Sequence, residues 1–213
     1  MNIKQTITNY LSIFGLSQNP PTKTELESNV WFLAKIPMDI NEHLVKMMDT
    51  IVQKNAKVVV ELGCRGGVSS QAFIAGVAKT GGFVTSYDIH PLKKVDGPRN
   101  TTLIERLGSP TRVKDYWRFK IGSSLEVHEE WEDGSIDVLF IDTDHTKEQI
   151  YNELNLWGKK VKPDGLIMVH DVTLENVTLR QGLMEFLAEN DKYVYEEDPH
   201  NCGMGFLTRN LAL

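Results

Sequence analysis

The chain has 213 residues, 41% of them hydrophobic and 24% charged, with two cysteines and a net charge of −6. Those figures fit one soluble globular domain with a full core and argue against a nucleic-acid backbone as the main partner. No apolar run approaches the roughly 20 residues that span a bilayer, and Cys64 and Cys202 have neither C-x-x-C spacing nor the count of a disulfide scaffold, so both read as free thiols.

The N-terminal stretch MNIKQTITNYLSIFG lacks the charged start, apolar run and cleavage site of a signal peptide, so cytoplasmic residence is expected. It contains a short helix predicted over Thr6 to Phe14. Ile40, Leu44, Met47, Met48 and Ile51 recur at helical spacing and predict a helix leading into the first strand. Trp31, just before it, reads as a core residue rather than as a pocket wall. Residues 1–55 are thus expected as a helical leader on a domain spanning 56–213.

The chain then runs VVVELGCRGGVSS from Val58 to Ser70, an apolar strand, a turn with Gly63, Gly66 and Gly67, and a helix start at Ser69 and Ser70. Glycines after a buried parallel strand let the backbone approach a ligand, and the next helix offers its free N–H groups, so this is a nucleotide-type pocket. A dinucleotide fingerprint needs G-x-G-x-x-G, but Arg65 stands where its second glycine would be. Instead, Glu61 two residues before Gly63, with glycines three and four residues on, resembles motif I of class I S-adenosylmethionine methyltransferases. The next strand ends at Asp88, roughly 20 residues past the turn, where an acid meets ribose hydroxyls in this architecture.

Between that strand and the next, RFKIG, lies a long connection from Pro91 to Arg118 with seven Lys or Arg against three Asp or Glu. Long connections of this kind are often functional, and this one is expected to reach over the pocket as a lid, with Arg99 and Arg112 gripping an acidic acceptor. Ser123 and Ser124 follow RFKIG. The apolar IDVLFI ends in Asp142, Thr143, Asp144 and His145, after which Thr146 and Gln149 form a capping box. Pro163-Asp164-Gly165 signals a turn before LIMVHD, which ends at His170 and Asp171, and KYVYEED and GMGFLTR read as a final antiparallel pair. Strand and helix alternate throughout, predicting an α/β, Rossmann-like, doubly wound, seven-stranded sheet, mostly parallel with an antiparallel C-terminal strand. Asp88, Asp142, Asp144, His145, His170 and Asp171 all fall at strand ends, where ligands gather.

FIDTDHTKEQIYNELNLWGKKVKPDGLIMVHDV resembles the second half of small-molecule O-methyltransferases of the catechol and sugar types, methyltransferase family 24 among them, with cephalosporin-hydroxylase-like proteins as cousins. The resemblance covers about residues 56 to 209. It implies S-adenosylmethionine as cofactor, shaped by Glu61, Gly63, Gly66, Gly67 and Ser69, with Asp88 on the ribose, Ser123 and Ser124 flanking adenine, and Asp142 at the reacting end. It also implies a divalent cation, Mg²⁺ or Mn²⁺, on Asp142, His170 and Asp171. His170 departs from the family's acidic or amide pair, because hard ions prefer oxygen ligands while imidazole suits softer metals. Asp144 and His145 are the two candidates for general base, and an unperturbed histidine suits proton removal near neutral pH. The expected partner is a small-molecule acceptor, anionic by the lid argument, and a homo-oligomer is compatible with the sequence. The alternatives are an NAD-dependent oxidoreductase and a non-catalytic binding protein on the same fold.

Overall fold

A computed structural model describes residues 19–92, 101–175 and 177–211. The helix expected over Thr6 to Phe14 and the Lys93 to Arg99 part of the basic connection lie outside them. Helices α1 (Lys23–Leu33) and α2 (Leu44–Gln53) precede β1 (Val58–Leu62), α3 (Val68–Thr80) and β2 (Phe83–Asp88). There follow α4 (Leu103–Leu107), β3 (Trp117–Ile121), β4 (Ile136–Ile141), α5 (Lys147–Trp157), β5 (Val161–His170), α6 (Leu179–Glu189), β6 (Tyr193–Asp198) and β7 (Met204–Arg209). No helix among the described residues is long and apolar enough to cross a membrane.

The seven strands lie in the order β3-β2-β1-β4-β5-β7-β6. Pairings from β3 to β5 are parallel, and β7 runs antiparallel to both β5 and β6. The chain moves outward from β1 through β2 to β3, then returns to place β4 on the other side of β1. That reversal opens a crevice above the carboxyl ends of β1 and β4.

Side-chain alternation along each strand sorts the core into two layers. Val59, Val84, Val138, Phe140 and Met168 face α1, α2 and α3, while Val60, Leu62, Leu139, Ile141 and Val169 face α5 and α6. Glycine allows the closest helix contact on the first face, since a Cβ on Gly76 would come 2.6 Å from Ile51 Cβ. The leader helices are therefore part of the main core.

Three local expectations change. Pro163-Asp164-Gly165 is not a turn ahead of the strand: β5 runs through it, with a register shift from Ile136↔Val161 to Val138↔Leu166 that absorbs the extra residues as a bulge. Trp31 is half exposed rather than core, because α1 turns Leu26, Val30 and Leu33 inward and leaves Trp31 on the other side. The described part of the basic connection is not a lid. A capping box between Thr102 and Glu105 starts α4, and Leu103, Leu107 and Val113 are buried in the core.

Candidate active site

A cavity of about 1040 Å³ occupies the crevice. Its lining includes Gly63, Cys64, Arg65, Gly66 and Ser69 at one end, Asp88, Ser123 and Ser124 along one wall, and Asp142, Asp144, His145 and Asp171 at the other end. Pro37 to Ile40 form a further wall.

At the glycine end the backbone is forced by close approach. Gly63 has φ +79°, and a Cβ there would meet the Asp142 carbonyl oxygen at 1.9 Å, so only glycine lets the ends of β1 and β4 sit side by side. Gly67, also left-handed, caps the N-terminus of α3 but does not line the cavity. Asp88 Oδ2 accepts from the backbone N–H groups of Arg65 (2.8 Å) and Cys64 (3.3 Å), tying the turn to the end of β2. Burial pushes the Cys64 thiol well up, so it stays protonated and unreactive.

Glu61, expected to shape the pocket, does so from behind. It is fully buried and absent from the cavity lining. Ser69 Oγ (2.5 Å), Ser70 Oγ (2.6 Å) and Ser86 Oγ all donate to its carboxyl, and Trp117 Nε1 donates in turn to Ser86 Oγ at 2.8 Å. Burial raises the carboxyl to about 7, against the pull of the three hydroxyls. The residue locks the start of α3 to β1 and β2.

The other end is dense in charge. His145 Nε2 lies 2.8 Å from Asp171 Oδ2 and 3.7 Å from Asp142 Oδ1. Those two carboxylates raise His145 to about 10. Burial works against charge on His170, yet Asp142 and Asp171 outweigh it and hold that imidazole at about 10 as well. Asp171 is held below the usual carboxylate range, burial opposing and the two imidazoles prevailing. His145 is thus not the unperturbed imidazole of the sequence reading, since both carboxylates favour its charged form. Asp144 is exposed at the cavity mouth.

His170 is 1% exposed. Its Nε2 donates to the Asp39 carbonyl at 3.1 Å, which leaves Nδ1 as the ring atom facing the carboxylates. That Nδ1 is buried without a hydrogen-bond partner, although Asp171 Oδ2 lies at 3.3 Å and Asp142 Oδ1 at 3.6 Å. One donor atom from each of Asp142, His170 and Asp171 lies within 4.8 Å of the others, a set that fits a divalent cation.

Two groups escaped the sequence reading. Glu153 is fully buried and accepts from Ser124 Oγ (2.5 Å), Thr143 Oγ1 (2.8 Å) and Gln149 Nε2 (2.8 Å), joining the loops after β3 and β4. Gln149 therefore spends its amide there, and only the Thr146 half of the capping box forms. The signal was available, since Glu153 shares a helical face with Ile150, Leu154 and Trp157. Gln71 Nε2 donates to the Gly67 and Thr101 carbonyls, both at 2.9 Å, bracing the glycine turn from below. Ser123 and Ser124 do line the cavity, but Ser124 Oγ is committed to Glu153 and Ser123 Oγ accepts from Leu125 N. Arg112 is 5% exposed and away from the cavity, its guanidinium donating to the Asn19 and Leu107 carbonyls and to Glu25. It is a structural residue, not a hand for an acceptor.

No curated protein matches the chain in sequence. Among solved structures, methyltransferase PaMTH1 of Podospora anserina, bound to SAH, superposes with a TM-score of 0.63 at 15% identity, covering 99% of this chain and 98% of that one. An O-methyltransferase from Bacillus cereus, also in complex with SAH, gives 0.62 at 19% identity, with 96% and 97% covered. A methyltransferase from Geobacter sulfurreducens gives 0.59 at 16% identity, with 96% of each chain covered. These likenesses concern the fold, a mostly parallel seven-stranded sheet with the last strands antiparallel. Residues 60–172 match the family described as a methyltransferase domain, methyltransferase family 24, a span of more than half the chain that takes in the glycine turn and both acidic strand ends; the protein belongs to that methyltransferase family.

Proposed function

We propose that the protein transfers the methyl group of S-adenosylmethionine to a hydroxyl of a small molecule. The observation that carries this reading is the joining, in one cavity, of a glycine turn at a helix N-terminus and the Asp142, His145 and Asp171 cluster. The two SAH-bound relatives in fold support the cofactor. In the reaction the acceptor oxygen attacks the methyl carbon, the carbon–sulfur bond breaks with its electrons passing to sulfur, and the hydroxyl proton must leave. Positioning supplies most of the rate, with reacting atoms about 3 to 3.5 Å apart. Asp88 and the turn hold the nucleoside, and Glu61 and Gln71 keep that turn rigid.

A divalent cation on Asp142, His170 and Asp171 would act as a Lewis acid on the acceptor hydroxyl and make its proton easier to remove. With Asp142 and Asp171 so engaged, His145 would be free to give up its proton and act as the base. The described cavity lining carries Asp39, Asp88, Asp142, Asp144 and Asp171 against Arg65 as its one lysine or arginine, which favours a neutral or cationic acceptor over an anionic one.

Calorimetry with S-adenosylmethionine and single-turnover assays over a panel of phenolic and sugar hydroxyl acceptors test the reading. His145→Ala should lower the methyl-transfer rate about 10²-fold or more while cofactor binding persists. Failure to bind S-adenosylmethionine would defeat the assignment, and a full rate in His145→Ala with a loss in Asp144→Asn would move the base to Asp144.

A further inference from the structure

We propose that the Asp142, His170 and Asp171 cluster is a transition-metal site, with His170 Nδ1 as the ligand that selects an ion such as Co²⁺ or Zn²⁺ over Mg²⁺. This rests on the reading of the cluster as a cation site and adds which ions it takes. Nε2–H is spent on the Asp39 carbonyl, so Nδ1 is the ring atom that faces the two carboxylates, and it makes a directed hydrogen bond to neither. Nδ1 and one carboxylate oxygen each of Asp142 and Asp171 lie within 4.8 Å of one another, and a cation taken up there would displace any Nδ1 proton and gather the three donors on one centre.

The ring is also held. Its far nitrogen donates to a backbone carbonyl, the arrangement that orients metal-binding histidines, and its edge meets the His43 ring at 5.8 Å and 79°. His43 is itself buried and hydrogen-bonded to the His200 and Asn201 carbonyls. Asp39 belongs to a strap fixed by Asn201 Nδ2 donating to the Met38 carbonyl and by Met38 N–H donating to Asn41 Oδ1. Successive residues of a strand normally point to opposite faces. Asp171 escapes that rule because it sits just past β5 with φ 61°, which lets its carboxylate converge with the His170 ring. Left-handed backbone at a non-glycine residue costs about 1–3 kcal/mol.

Mg²⁺ demands oxygen ligands and keeps its waters, whereas imidazole suits first-row transition ions. Any site binds Co²⁺ more tightly than Mg²⁺, so the quantity that reports the imidazole is the ratio of the two affinities, compared between wild type and His170→Asp. Calorimetric titration of the full-length, chelator-stripped protein with CoCl₂ and with MgCl₂ measures it. The ratio should fall about tenfold or more in His170→Asp. An unchanged ratio in a variant whose circular dichroism matches wild type overturns the proposal.

A second measurement needs no variant. Proton NMR of the Co²⁺-loaded wild type should show a hyperfine-shifted, exchangeable imidazole N–H, the His170 Nε2 proton shielded by Asp39, and its absence with Co²⁺ bound also overturns the proposal. If neither ion binds, the cation reading falls together with this inference, while S-adenosylmethionine calorimetry judges the methyl-transfer reading separately.

Discussion

The two ends of the cavity treat buried charge in opposite ways. At the glycine end, Glu61 is sealed off and surrounded by three hydroxyl donors, one of them held in turn by Trp117. At the other end, Asp142, Asp171 and two histidines crowd together, and His170 Nδ1 faces both carboxylates without a hydrogen bond to either. A satisfied network costs the fold nothing further and keeps one geometry, which a cofactor pocket needs before its ligand arrives. A network whose hydrogen bonds are incomplete leaves donors free to take up an added group, which a reacting centre can use. Substitutions at the first end should therefore register mainly as stability, and substitutions at the second mainly as ion binding and turnover.

The most severe test of that contrast is Gly63→Ala. Its Cβ would overlap the Asp142 carbonyl and its φ is left-handed, so a loss of about 4 kcal/mol or more is expected in urea denaturation, along with cofactor binding.

Glu61→Gln comes next, through its pH dependence. The native carboxyl keeps its proton up to about 7, while the unfolded one releases it at its ordinary value of 4.5. Between those limits the native state binds more protons, so wild-type stability falls as pH rises through the window. The advantage of wild type over Glu61→Gln should shrink by about 3 kcal/mol between pH 4 and pH 8, and parallel curves would show that Glu61 is not a buried, proton-retaining acid.

Asp88→Ala should cost about 1.5–3 kcal/mol of S-adenosylmethionine affinity by removing charge-assisted hydrogen bonds. Part of the loss should come from the freed Arg65 and Cys64 N–H groups, visible as faster amide exchange in the turn. At the opposite extreme, Asp144→Asn should change the melting free energy by no more than about 0.5 kcal/mol, because the side chain is exposed at the mouth. A clear destabilisation by Asp144→Asn would mean that the two ends are not divided as described.

Much of the site could be read from the chain because it lies at strand ends, and strand ends are marked locally. The apolar run of β1, the glycines after it and the polar quartet after β4 each carry their own signal within ten residues, and the structure brings Gly63, Asp88, Asp142, Asp144, His145 and Asp171 to one cavity. What misled was composition without contacts. The basic stretch before Arg118 looked like a lid because charge suggests solvent, yet Arg112 is drawn inward by carbonyls of Asn19 and Leu107 that no local pattern announces. Trp31 looked like core by residue type, and the turn of α1 put it outside.

By itself the sequence determined the order of strands and helices, the nucleotide-type turn and the placing of acids where ligands gather. These depend on period, on glycine's backbone freedom and on the reach of a few residues, which are properties of short stretches. Only the tertiary structure decided the protonation of His145, the retreat of Glu61 behind the pocket, and the aim of His170 at two carboxylates. Each of these depends on groups far apart in the chain, such as Asp39 with His170 or Glu61 with Ser86, and on burial that strengthens every charge interaction once water is excluded.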